Sequence, residues 1–173
     1  MSIEPPMGQM GGAVADRAMQ QGLMTGYLET LALVERLHRL LLDVIKDEFE
    51  RLAIIEINPV QALLLFNVGD NEVTAGELKS RGYYQGSNVS YNLKKLVENG
   101  YMHHQRCDVD RRSVRVKLTD KGCKLHDAVR ELFERHAEGM GTRGVIDFEQ
   151  MDEMNRTLKR MERYWMDQIR YIY

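Results

Sequence analysis

The sequence predicts a mainly α (α+β) fold, with long helices towards both ends and one β-hairpin between them. Three observations predict it. Leu, Met, Glu, Lys and Arg are abundant while Pro occurs three times and Trp once, a composition of good helix formers. Apolar residues recur at spacings of three and four over most of the chain, the mark of a single buried helix face. Between Tyr101 and Leu118 the period falls to two, the mark of strands. At 173 residues the chain suits one domain, or a small domain with helical extensions.

Residues 1–26 are rich in Met and Gly and weakly periodic; they read as a mobile N-terminal arm with helical potential after Ala13. Residues 27–57 carry a first long helix, from about Tyr27 to Leu52. Its apolar stripe of Leu31, Val34, Leu37, His38, Leu41, Val44, Ile45 and Phe49 is broader than one neighbour needs. Asn58-Pro59 announces the next helix, because Asn caps well and Pro is preorganised for a first turn. The run from Ala62 to Phe66 has almost no polar face, so this helix should be central, and Gly69-Asp70-Asn71 ends it. Thr74-Ala75-Gly76-Glu77 is a capping box, with Thr74 as the cap and Glu77 reaching back. It opens a short helix anchored by Leu78 that stops by Gly82.

A polar-faced helix follows from about Gln85 to Glu98, with Val89, Leu93, Leu96 and Val97 inward and Asn99-Gly100 as its stop. Tyr101–Cys107 and Ser113–Leu118 read as two strands joined by a charged turn, Asp108 to Arg112. Thr119 caps a further helix with a seam of Leu125, Val129, Leu132 and His136, broken by Gly139, Gly141 and Gly144. The last helix starts near Asp147 and carries Met151, Met154, Leu158, Met161, Trp165, Gln168 and Ile172 at spacings of three and four. Such narrow seams seek partner helices, so residues 27–57 and 123–173 are expected to be dimerisation helices flanking a module at 58–122.

Charge is uneven. The formal net of −2 hides eleven Lys/Arg against five Asp/Glu between Thr74 and Lys124, a net of +6 that leaves −8 elsewhere. A basic module inside an acidic frame is the footprint of a phosphate-binding face. Two cysteines, Cys107 and Cys123, make no disulfide framework and fit a reducing compartment. The first 26 residues lack the basic and apolar regions of a signal peptide. The longest purely apolar run, Ala62 to Phe66, has five residues, against about 20 for a membrane helix. The expectation is a soluble, cytoplasmic protein with no membrane partner.

Helix, capped short helix, turn, polar-faced helix and basic hairpin, in that order, make a winged helix-turn-helix. An α-helix fits the major groove of duplex DNA, where base edges present distinguishable donors and acceptors. Ser87, Asn88, Ser90, Tyr91, Lys94 and Lys95 supply the outward hydrogen-bonding and cationic side chains such a helix needs. Arg106, Arg111, Arg112 and Arg115 cluster on the hairpin, suited to phosphates or a minor groove.

Asp110-Arg111-Arg112, the alternating strand Val114 to Leu118 and Leu118-Thr119-Asp120-Lys121-Gly122 together resemble the wing and following helix of the MarR family. Leu96 to Tyr101 resembles the end of that family's recognition helix, and Glu77-Leu78 its preceding helix; the likeness spans about residues 30–170. Tyr83 to Val97 is similar to the alphaproteobacterial LdtR-like branch. The resemblance implies an obligate homodimer, a pseudo-palindromic double-stranded DNA operator, and transcriptional regulation. It also implies that Asp110 braces the wing, that Arg112 reaches the minor groove, and that a small aromatic effector binds in a crevice. His38, Leu64, Phe66 and Asn67 are the expected lining. Gly82-Tyr83-Tyr84-Gln85-Gly86 departs from the family's usual turn, and Asn88, Tyr91 and Asn92 point to an atypical operator.

Other chemistries have weaker grounds. His103-His104 with Cys107, Cys123 and His126 invites a metal, but adjacent strand residues face opposite ways, and no metal or cofactor is expected. Cys107 beside Arg106 would make a redox sensor if exposed. No nucleophile elbow, phosphate loop or H-E-x-x-H occurs, so no enzyme is expected. A winged helix can also serve as a protein-interaction module, with the acidic frame as its docking surface.

Overall fold

The computed structural model describes residues 10–69, 72–80, 86–106 and 114–172. The chain divides into two compact units, Met1–Val60 and Gln61–Tyr173.

The first unit is dominated by α1 (Met10–Arg51), 42 residues long. The helix therefore starts well before the expected Tyr27. Gly22 and Gly26 each disfavour helix by about 1 kcal/mol, but Ala, Met, Gln and Leu around them are strong formers. The Thr25 and Thr30 hydroxyls donate to the Gln21 and Gly26 carbonyls at 3.0 and 2.9 Å. Towards the C-terminal end Ile45 and Phe49 are buried, as is Ile57 beyond it. The helix ends in a Schellman motif: Ile54 N–H donates to Phe49 O and Ala53 N–H to Glu50 O. The turning residue is Ala53, at φ 55°, where a Cβ is strained.

The second unit is built from α2 (Pro59–Val68), whose first turn lies at the boundary, β1 (Val73–Thr74), α3 (Ala75–Ser80), α4 (Gly86–Glu98), β2 (Met102–Arg106), β3 (Val114–Leu118), α5 (Asp120–Thr142) and α6 (Phe148–Ile172). The strands form an antiparallel sheet in the order β1-β3-β2. Val73 and Thr74 pair with Val116 and Arg115, and Met102 to Arg106 pair with Leu118 back to Val114. Leu64, Leu65, Val68, Leu78, Val89, Leu96, Met102, Val116 and Val129 are fully buried and form the core. The near-absence of a polar face on α2 is thus explained: Gln61, Ala62, Leu64, Leu65 and Val68 are all buried.

Two expectations need correction. Gly139 and Gly141 do not break α5, which runs through both to Thr142. Only Gly144, at φ 64°, stops it; there Val145 N–H donates to Met140 O and Gly144 N–H to Gly141 O. A helical glycine costs about 1 kcal/mol but removes no hydrogen bond, whereas a left-handed residue ends the ladder. The three-stranded sheet was likewise unforeseen, since β1 is only two residues long.

Candidate nucleic-acid interface

The candidate interface comprises α3, α4 and the hairpin of β2 and β3. Thr74 caps α3 as its spacing predicts: Glu77 N–H donates to Thr74 Oγ1 at 3.1 Å, and Thr74 N–H donates to Glu77 Oε2 at 2.6 Å. Leu78 is fully buried, so this short helix is pinned at its cap and at its anchor. It packs on α4, the helix with the outward polar face.

On α4, Val89, Leu93 and Leu96 turn inward. Asn88, Ser90, Tyr91 and Lys94 are exposed and Lys95 half-buried, so one face presents the side chains expected to read DNA. Asn92 is not on that face. It is buried, and its Nδ2 donates to Asn88 O at 2.9 Å. Ser87 lies in the first turn of α4.

The cations near the end of α4 are held by one acid. Lys95 Nζ lies 2.8 Å from Glu98 Oε2 and Lys94 Nζ 3.7 Å from Oε1. The hydrogen bond from Lys95, aided by the charges of Lys95 and Lys94, draws the Glu98 carboxyl below its usual range, while the same hydrogen bond raises the Lys95 ammonium. Glu98 therefore offsets part of the positive charge that the two lysines bring to this end of α4.

On the hairpin, Arg115 occupies the central strand, opposite Thr74 on one side and Gln105 on the other. It is half-buried, and its buried Nε has no hydrogen-bond acceptor among the described residues. Lys117, two residues on and on the same face, is exposed and 4.0 Å from Glu72. Arg106 pairs with Val114 at the last described rung. Cys107, Asp110, Arg111 and Arg112, and the turn from Arg81 to Gln85, lie outside the described residues.

The residues expected to line an effector crevice are placed differently from one another. His38 is exposed on α1, in the first unit. On α2, Leu64 is fully buried in the core, while Phe66 and Asn67 are half-buried. The Phe66 ring stacks on His126 of α5, with centroids 4.9 Å apart, and meets Phe133 edge-on at 5.1 Å. His126 is itself buried and its Nδ1 lies 3.0 Å from Arg130 Nη2. A guanidinium only donates, so Nδ1 is the acceptor. His126 and Phe133 were not foreseen as part of this cluster; the seven-residue spacing that puts both on one face of α5 was the available signal.

Among the described residues no group of three His, Cys, Asp or Glu could hold a metal, and no helix is long and apolar enough to cross a membrane. Cys123 is a half-buried free thiol in the first turn of α5.

Residues 57–122 match a family described as a winged helix DNA-binding domain. Over 158 residues the chain is 33% identical to the exopolysaccharide II synthesis transcriptional activator ExpG of Rhizobium meliloti, covering 91% of this chain and 80% of that protein. The fold resembles that of Streptococcus pneumoniae FabT, solved in complex with DNA, with a TM-score of 0.61, 19% identity, and 82% and 99% of the two chains covered. It also resembles that of Staphylococcus aureus MarR, solved with salicylate and kanamycin, with a TM-score of 0.67, 19% identity, and 87% and 97% covered. The matched segment is the same stretch that carries the capping box, the polar face of α4 and the basic hairpin; the chain belongs with ExpG to the DNA-binding winged-helix transcriptional regulators, and its fold is that of the MarR structures.

Proposed function

We propose that the protein regulates transcription as a homodimer on a pseudo-palindromic operator, and that a small aromatic ligand weakens or strengthens that binding. In this reading Ser87, Asn88, Ser90 and Tyr91 address base edges in a major groove. Lys94, Lys95, Arg106, Arg111, Arg112 and Arg115 engage phosphates or the adjacent minor groove.

The observation that carries the homodimer is the unpartnered apolar surface of the terminal helices. On α1, Leu23, Met24, Leu28, Val34, Leu37 and Leu40 are 45–76% exposed. On α6, Met154, Leu158, Trp165, Met166 and Ile169 are 38–62% exposed. Large apolar side chains exposed in this number along one helix mark a protein interface, and helical spacing of three and four suits a second helix. Two copies then present two α4 helices to successive major grooves of one face of the duplex.

Ligand control is supported by the aromatic cluster of Phe66, His126 and Phe133, where flat rings and a half-buried Asn67 offer stacking and a polar contact. The Staphylococcus aureus protein of similar fold was solved with salicylate and kanamycin, and an aromatic acid of that kind is the ligand class assigned here. It would act by binding one dimer geometry better than another.

The test is binding of the full chain to duplex DNA from upstream of its own gene, across a salt series. Each neutralised phosphate contributes about 0.9 to the slope of log affinity on log salt, so a slope of several is expected, with two chains per site by sedimentation. A flat salt dependence with no preferred fragment, or one chain per site, overturns the reading.

A further inference from the structure

The end of α4 and the start of α5 are tied at one point. Gly100, at φ 76°, turns the chain out of α4, with Tyr101 N–H donating to Leu96 O at 2.8 Å and Gly100 N–H to Val97 O at 3.0 Å. Nineteen residues after Gly100, the chain returns to the same place. Thr119 N–H donates to Tyr101 O at 3.1 Å, and the Thr119 hydroxyl donates to Gly100 O at 2.7 Å. The same hydroxyl accepts from Gly122 N–H at 3.0 Å as the cap of α5. Lys121 Nζ donates to Asn99 O at 3.1 Å and sits 4.2 Å from the Tyr101 ring centroid.

Gly122 is the tightest part of this tie. A Cβ there would stand 2.1 Å from Tyr101 O and 3.2 Å from its carbonyl carbon. Both are backbone atoms at the exit of α4, and backbone cannot swing aside as a side-chain tip can. Tyr101 is itself 3% exposed, so it is packed in place. One hydroxyl thus serves two helices at once: it accepts from the amide of the third residue of α5 and donates to the carbonyl of Gly100, just after α4. These bonds tie the start of α5 to the exit of α4.

We propose that Thr119 and Gly122 are positioning residues for DNA binding: the tie they form sets the angle between α4 and α5, and through it the half-site spacing the protein selects. The step from angle to spacing rests on the homodimer reading above, because spacing has meaning only when two copies bind. Neither residue touches DNA in this account. They act by holding α4 at a fixed orientation to the long helix that follows the wing, so a change at the tie alters which operator is bound more than how tightly any DNA is held.

The test uses the full chain and duplexes enriched by the wild-type protein from a random-sequence library. These are then rebuilt with one and two base pairs inserted into or removed from the centre. Wild type should prefer one spacing by about tenfold or more. Gly122→Ala and Thr119→Val should lose that preference or move its optimum, while affinity for random-sequence DNA and dimer mass stay unchanged. Thr119→Ser, which keeps the hydroxyl, should restore the wild-type optimum. Should Gly122→Ala fail to fold, Thr119→Val against Thr119→Ser decides. Variants with the wild-type optimum and selectivity overturn the proposal. Absence of any spacing preference in wild type instead overturns the two-half-site reading on which it rests.

Discussion

The winged module and the terminal helices carry the same kind of apolar pattern and put it to different ends. In the module, Leu64, Leu65, Leu78, Val89, Leu96 and Val116 are at most 2% exposed; these apolar residues are covered within the chain. On α1 and α6, residues at equivalent helical spacing, such as Leu37 at 60% and Ile169 at 62%, face outward. A hydrophobic stripe by itself therefore does not say whether its partner lies in the same chain. Breadth and continuity do: the stripe on α1 runs over many turns, which no short helix could cover.

The sharpest way to break this contrast is to place a charge in each kind of stripe. Leu158→Asp on α6 should leave the module folded but convert the dimer to monomer by sedimentation. Specific DNA affinity should then fall by about 100-fold or more, because the second half-site contact is no longer intramolecular. If DNA binding survives in the monomer, the terminal helices are not the dimer interface. Leu96→Ala, inside the module, should instead lower unfolding free energy by about 2–5 kcal/mol in denaturant melts, at every protein concentration. A concentration-dependent loss there would blur the distinction.

Smaller changes sharpen the electrostatic side. Arg115→Gln should reduce the salt slope of DNA binding by about 0.9 with little change in stability, since its buried Nε makes no hydrogen bond to lose. Glu98→Gln should raise affinity for random-sequence DNA by ~2–3-fold, an exposed ion pair's worth, by freeing Lys94 and Lys95. The sign with pH follows from the lowered Glu98 carboxyl. Its pairing is present above the ordinary carboxylate range and is lost only as pH falls through the lowered value. The difference between Glu98→Gln and wild type should accordingly be flat from about pH 8 to pH 6. In the first unit, Ala53→Gly should stabilise the chain by about 1 kcal/mol in thermal melts, by relieving a Cβ at φ 55°.

Much of the module could be read from local chemistry. The Thr74–Glu77 box, the Thr119 cap and the stop at Gly100 each depend on residues a few positions apart, and each stands where the spacing puts it. The Asp147–Gln150 box has the same form, with Gln150 N–H donating to Asp147 Oδ1 at 2.8 Å and Asp147 N–H to Gln150 Oε1 at 3.1 Å. It was read only as a helix start. What escaped depends on distance along the chain. Pairing of Val73–Thr74 with Val116 and Arg115 joins residues some forty apart, and two residues carry no period of their own. Asn92 looked outward by residue type, but its position one turn after Asn88 lets it bond back to the helix and bury itself. The glycines of α1 and α5 misled for the opposite reason: their local penalty is real but small against many turns of helix.

The central claim, that the basic module reads DNA in pairs while the terminal helices make the pair, is tested most directly by footprinting the full chain on duplex DNA from upstream of its own gene, with Leu158→Asp alongside. The account predicts two protected half-sites centred about one helical turn apart on one face of the duplex, both lost together in Leu158→Asp. A single protected half-site for wild type, or an unchanged double footprint for Leu158→Asp, would contradict it.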